Sequence, residues 1–186
     1  LPELRHATAP RYVERGLPTT PEQIFVPSGA QQSITLVMDM LLEPGEDVLV
    51  ESPTYPHGLD VARRNGARIR TTGVTSQGWD MEYLVDSFRQ WKPALAYLIP
   101  DFHNPTGALM DDEERQVLVR EARRNGTHLV VDESVVELAI DSGDLPAPVA
   151  AHDTDGRVLT IGSVAKLLWG GVRVGWIRAT PPMVSR

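Results

Sequence analysis

Residues Leu95–Pro100 read "LAYLIP". Apolar side chains stand at consecutive positions from Leu95 to Ile99, with no polar alternation. The stretch "THLVVDE" (Thr127–Glu133) has the same character at Leu129–Val131. Successive side chains of a strand point to opposite faces, so runs like these are buried on both faces. A sheet of such strands needs helices on both sides. The chain therefore reads as α/β, a three-layer sandwich around a mostly parallel central sheet with right-handed crossovers.

The flanking sequence agrees with that reading. "QIFVPSG" predicts a strand ending at Ser28–Gly29, "DVLVESP" a second and "RIRTTGV" a third. "VLTIGS" and "VGWIRA" predict further short strands. Between them lie helical patterns: "AQQSITLVMDMLLEPG" stopping at Pro44–Gly45, "YPHGLDVARRNGA" stopping at Asn65–Gly66, and "DMEYLVDSFRQW" with Asp80 as its N-cap. "DDEERQVLVREARRNG" carries acids in its first turn and arginines in its last, the sense that the helix dipole favours.

Composition narrows the function. The 186 residues are 41% hydrophobic and 23% charged, values of a single folded domain. A net charge of −7 argues against a nucleic-acid surface on this stretch, because phosphate binding needs clustered positive charge. There is no cysteine, which excludes disulfides and thiolate metal sites and makes a cytoplasmic location the default. Five histidines show no metal-ligand spacing, so no metal is expected. "LPELRHATAP" lacks the features of a signal peptide, and no apolar run is long enough to span a membrane.

Ligands of an open α/β sheet bind beyond the carboxyl ends of the strands. Five segments lie there: "SGAQQ" (Ser28–Gln32), "ESPTY" (Glu51–Tyr55), "PDFHNPTG" (Pro100–Gly107), "VDES" (Val131–Ser134) and "GSVAK" (Gly162–Lys166). Free amides of Ala30 and Gln31 at a helix start could hold an anion, or Ser28 could simply cap the helix. Tyr55 could stack on a flat ligand or pack under a loop. Asn104 is presented by a Pro105–Gly107 turn, and neighbouring His103 reads as structural. Asp132 leaves an apolar strand and needs a partner, such as a cation or a protonated ring nitrogen. Glu133 beside it could face solvent. Lys166 is one of two lysines, the other being Lys92, and sits among apolar residues that would make it an amine nucleophile, unless it snorkels to the surface. Arg173 suits an oxyanion.

The ordered series SGAQQ, SPTY, NPTG, VDE and GSxxKxxxGGxRxGW resembles the large domain of fold-type I pyridoxal-phosphate enzymes, the class I/II aminotransferases. The resemblance runs from about Arg15 to about Ala179. It implies pyridoxal 5'-phosphate as cofactor and a role for each motif residue. Lys166 would be the catalytic residue that bonds the cofactor aldehyde as a Schiff base. Asp132 would pair with the pyridine nitrogen, Asn104 with the phenolic oxygen, and Tyr55 would stack on the ring. The amides of Ala30 and Gln31, with Ser163 and Arg173, would hold the phosphate. Within that family, "VVDESVVELAID" and "GSVAKLLWGGVRVGWIRA" look most like the aminotransferase-like domain of MocR-type regulators of the GntR family.

That resemblance implies a cofactor-binding domain that senses a small amino compound for a transcription regulator, with DNA contacted only through a separate upstream domain. The alternative is the catalytic domain of a stand-alone aminotransferase acting on an amino acid and a 2-oxo acid; a related lyase is a third reading. A homodimer is implied for the full-length protein. Residues 1–186 are expected to form one core domain, truncated at both ends relative to the family and inactive alone. Three positions depart from the family's pattern: Val135 where a tyrosine is common, Ala165 where a second serine is common, and Gly170 where proline is common.

Overall fold

The structure, a computed structural model, describes residues 1–139 and 145–186. The last two residues of "VVDESVVELAID", Ile140 and Asp141, therefore lie outside the described residues. In chain order the elements are α1 (Pro2–Glu14), β1 (Ile24–Phe25), α2 (Ala30–Leu41), β2 (Asp47–Ser52), α3 (Pro56–Arg64), β3 (Arg68–Thr75), β4 (Gly78–Trp79) and α4 (Met81–Trp91). Then follow β5 (Leu95–Leu98), α5 (Asp112–Asn125), β6 (His128–Asp132), β7 (Val158–Ser163), β8 (Gly175–Arg178) and α6 (Pro181–Val184).

One sheet runs in the order β1-β8-β7-β6-β5-β2-β3-β4. Its centre, from β3 through β2, β5 and β6 to β7, is parallel; β8 pairs antiparallel with β7, β1 antiparallel with β8, and β4 antiparallel with β3. This is the mostly parallel sheet that the sequence predicts. Consecutive apolar residues reach opposite faces as expected. Leu49, Ala96, Leu98, Leu129 and Val131 pack with Leu84 and Phe88 of α4 and Leu118 of α5. Val48, Val50, Leu95, Tyr97, Ile99 and Val130 pack on the other face with Ile34 and Met38 of α2 and Val61 of α3. Each large apolar side chain buried in this way stabilises the fold by roughly 1.5–3 kcal/mol.

Helix ends follow local chemistry. The Asp80 carboxylate accepts from Tyr83 N at 3.0 Å, as an N-cap should. Asp111 and Glu114 form a reciprocal capping box at the start of α5. Beyond α3, Gly66 adopts φ +70°, a left-handed turn that side chains disfavour.

Three details correct or extend the sequence reading. The strand expected over "QIFVPSG" is only Ile24–Phe25, because Pro27 has no N–H for the ladder and Gly29 turns at φ +94°. Strand β8 is one of the antiparallel members that a mostly parallel sheet allows, since the link from β7 holds one 3-10 turn, Gly170–Val172, and no α-helix to carry the chain back across the sheet. Helix α1 had no clear sequence signal. Pro10 lies inside it, and it buries only Thr8, Ala9 and Tyr12.

Candidate active site

The parallel strands β2, β5, β6 and β7 finish on the same rim of the sheet. Above that rim is a cavity of about 230 Å³. All eight residues singled out from the sequence line it: Ala30, Gln31, Tyr55, Asn104, Asp132, Ser163, Lys166 and Arg173. Gly29, Ser134, Val135, Ala165 and Gly170 complete most of the wall.

One end of the cavity is a cradle for an anion. Gly29, not Ser28, is the N-cap of α2, and no side chain caps this helix, which removes the capping alternative for Ser28. The first N–H groups of α2 therefore face the cavity end with no intrahelical acceptor. The backbone is packed too closely for a side chain at Gly175, where a Cβ would lie 2.7 Å from the Gly29 backbone. Gly29 itself turns at φ +94°, which side chains disfavour, beside the Arg173 guanidinium. Arg173 holds φ +55°, a costly conformation for any residue with a Cβ, and among the described residues no carboxylate pairs with it. Positive charge, unpaired amides and glycine clearance make a site for a dianion. Ser163 adds a hydroxyl that is already engaged: it donates to Val174 O at 3.2 Å and accepts from Ala165 N at 3.1 Å.

Tyr55 stands on the cavity wall, half-buried. Its hydroxyl accepts from Gln31 Nε2 at 2.8 Å, and His57 Nε2 lies 3.1 Å from Gln31 O. Gln31 thus offers its amide to the cradle while its side chain steadies the Tyr55 ring. Asn104 is exposed at the rim on its Pro105–Gly107 turn, which is closed by Gly107 N donating to His103 O at 2.6 Å. His103 is buried, 2.9 Å from the Thr106 hydroxyl and 3.3 Å from Glu51 Oε2, the structural role expected of it.

Asp132 is 6% exposed and held at both oxygens. Tyr97 Oη donates to Oδ2 at 2.9 Å, and Ser134 N donates to Oδ1 at 2.9 Å. The partner that the sequence demanded is in part another side chain of the core. Glu133 does not face solvent. It is 4% exposed and receives Arg15 Nη1 at 2.9 Å. Alternation explains the correction: if Asp132 turns to the cavity face, Glu133 turns to the other, under α1. Burial raises its pKa to about 7, with Asp101 adding to the rise and Arg15 opposing it.

Lys166 is exposed on the cavity wall. The sequence reading took its apolar neighbours as a desolvating environment. Leu167, Leu168 and Trp169 are themselves exposed, at 39%, 72% and 69%, so they do not bury it. Val135 lines the cavity with an aliphatic side chain, so no hydroxyl is offered from that position.

Sequence reasoning missed Tyr97 and Ser134. The signal for Tyr97 lay in register: Tyr97 pairs with Val130, so Asp132, two residues on, shares its face on the adjacent strand.

A model of the family described as "Aminotransferase class I and II" matches residues 1–186. The chain belongs to that family. Its relatives include two kinds of protein. The uncharacterized HTH-type transcriptional regulator YisV of Bacillus subtilis is 28% identical over 184 residues, covering 99% of this chain and 38% of YisV. Aromatic-amino-acid aminotransferase 1 of Thermococcus litoralis is 30% identical over 189 residues, covering 98% of this chain and 45% of that enzyme. Among solved structures, LysN of Thermus thermophilus, an alpha-aminoadipate aminotransferase complexed with N-(5'-phosphopyridoxyl)-L-leucine, superposes with a TM-score of 0.89 at 30% identity. That match covers 100% of this chain and 47% of LysN. The chain thus spans less than half the length of these relatives. Among the described residues, no helix is long and apolar enough to cross a membrane, and no cluster of three or more His, Asp or Glu is placed to hold a metal.

Proposed function

We propose that this chain is a pyridoxal-phosphate-binding domain that senses a small amino compound within an HTH-type regulator of the MocR/GntR kind. Pyridoxal phosphate is the cofactor that the family and its solved neighbours support. The observation that carries the reading is that an amine, a buried carboxylate and an anion cradle line one cavity.

The residues present fit the cofactor. When bound, pyridoxal phosphate supplies an aldehyde that an amine can bond and a ring that withdraws electrons from that bond. Lys166 is the amine for that aldehyde. Asp132 would accept from the ring nitrogen and favour its protonated form. The Asn104 amide would donate to the phenolic oxygen, and Tyr55 would lie against the ring. Amides of Ala30 and Gln31, with Arg173, bind the phosphate. Ser163 can join them only by turning its hydroxyl from Val174 O, which keeps Val164 N as a donor at 3.3 Å.

The regulator reading is supported by several HTH-type relatives that cover nearly all of this chain at 28–31% identity. In those proteins less than two-fifths of the length is matched, which leaves room for a DNA-binding module. The −7 charge accords with DNA contacts made elsewhere. In that setting the protein is cytoplasmic, and two copies would pair in full length. The aminotransferase relatives support a second reading, a catalytic domain acting on an amino acid and a 2-oxo acid. The test uses the full-length protein. A basic winged helix-turn-helix upstream, and DNA binding that changes when pyridoxal phosphate and an amino compound are added, are expected. Steady turnover of an amino donor with no DNA binding would overturn the regulator reading in favour of the enzyme.

A further inference from the structure

Tyr97 is fully buried in the central strand β5, and its hydroxyl points along the rim to Asp132 Oδ2 at 2.9 Å. A fully buried phenol normally needs a partner, but this partner is the one acid of the cavity. Ser134 N takes the other oxygen, also at 2.9 Å. A carboxylate gripped at both oxygens cannot rotate, yet each oxygen still has acceptor capacity. Both donors thus set its plane without using up the side that faces the cavity.

The ring itself is fixed from behind. Gly58 packs against it so closely that an added Cβ would lie 2.9 Å from Tyr97 Cε1 and 3.1 Å from Cδ1. Gly58 stands in the first turn of α3, the helix that begins just after Tyr55. The "SPTYPHG" segment (Ser52–Gly58) therefore contributes twice, with Tyr55 on the cavity wall and Gly58 as the slot for Tyr97.

We propose that Tyr97 is a positioning residue of the cofactor site, holding the Asp132 carboxylate in the orientation that receives the pyridine nitrogen, with Gly58 providing the clearance that places its ring. This inference rests on the pyridoxal-phosphate reading and deepens it. Burial, and then the Asp132 charge, raise the phenol's pKa well above 10. That direction favours the protonated phenol, the form that donates to Asp132 Oδ2. Outer-shell support of this kind around a bound metal typically changes affinity or activity by about 10–100-fold when removed, and the lower end of that scale is expected here.

The experiment is a double-mutant cycle on the full-length protein, read by pyridoxal-phosphate titration of the visible band and by thermal unfolding of the cofactor-free variants. Tyr97→Phe removes one oxygen and keeps the ring. It should weaken cofactor affinity about tenfold and shift the band. In an Asp132→Ala background the same change should leave affinity and band unaltered, because the group it acts through is gone. Gly58→Ala, which displaces the ring but keeps the hydroxyl, should also weaken binding. Equal affinity in Tyr97→Phe and wild type would overturn the proposal alone. So would equal losses in both backgrounds, since these mark a purely structural effect. Wild-type protein that takes up no pyridoxal phosphate would overturn the cofactor reading and the proposal with it.

Discussion

Arg15 Nη1 lies 2.9 Å from Glu133 Oε2, which ties the end of α1 to the end of β6, one residue past Asp132. Arg15 also approaches Asp101 Oδ1 at 3.8 Å, and Asp101 receives Arg115 Nη2 at 2.8 Å. A chain of buried charges thus runs beneath the cavity on the face away from α2. It locks the acid-bearing strand end to two helices, α1 and α5.

Glu133 makes that network pH-dependent. Its pKa rises from 4.5 to about 7, because burial outweighs the Arg15 charge. Between those values the folded protein holds a proton that the unfolded chain has lost. Stability from this group is therefore greatest at low pH, falls as pH rises through the window, and is level above about 7. Glu51 is raised by burial as well and acts in the same direction. Urea unfolding at pH 5.5 and 7.5 should show the wild type losing about 2 kcal/mol more than Glu133→Gln over that interval. Parallel pH profiles for the two proteins would contradict this.

The Arg115–Asp101 pair should dominate the fold's sensitivity to charge removal. Arg115 is fully buried and also donates to Met110 O at 2.9 Å and Ala147 O at 3.1 Å. Arg115→Leu leaves two carbonyls without a donor and Asp101 with only a distant arginine. A cost of about 3–5 kcal/mol is expected. The exposed pair of Arg64 and Asp39 is equally short, at 2.8 Å, yet Arg64→Leu should cost under about 1 kcal/mol because water screens it. Comparable losses in the two variants, measured by urea unfolding, would show that burial is not the deciding term.

With two lysines in the chain, the amine that bonds the cofactor can be found by chemical trapping. Lys92 caps the far end of α4, just before β5 begins, and so belongs to the opposite rim of the sheet. Lys166 lines the cavity. Borohydride reduction of the loaded full-length protein should leave the pyridoxyl group on the peptide containing Lys166. Lys166→Ala should lose the visible band, whereas Lys92→Ala should keep it. Label on the Lys92 peptide would displace Lys166 from its role.

The site was legible in the sequence where one residue's chemistry is tied to the end of a strand. Asp132, Asn104 and Ser163 each follow an apolar run, and a parallel sheet sends such ends to one rim. The layers were legible because Leu95–Ile99 are apolar without alternation. What stayed hidden depends on partners distant along the chain. Glu133 meets an arginine 118 positions away, and Tyr97 meets an acid 35 positions away. No local pattern marks either meeting. Tyr97 looked like one more apolar residue, since nothing in a strand's sequence says whether a phenol's hydroxyl finds a partner. Lys166 follows the exposed alternative for a related reason: apolar neighbours in sequence bury a side chain only when they themselves pack, and Leu168 and Trp169 do not.

The anion cradle predicts a discrimination that separates phosphate binding from ring binding. Arg173 and the start of α2 face one another across Gly29, and that closeness depends on Gly175 having no side chain. Arg173→Gln removes the cradle's guanidinium and leaves Lys166 and Asp132 untouched. Pyridoxal phosphate should then bind roughly 10- to 100-fold more weakly, the scale of a lost charge-assisted contact. Pyridoxal, which lacks the phosphate, should bind as it does to the wild type. Gly175→Ala should also weaken pyridoxal phosphate, by forcing the Gly29 backbone away from a Cβ that would otherwise stand 2.7 Å from it. Competition titrations of the two ligands against each variant measure the ratio directly. If Arg173→Gln lowers both affinities equally, the guanidinium supports the site as a whole and not the phosphate, and the orientation of the cofactor in the cavity must be reassigned.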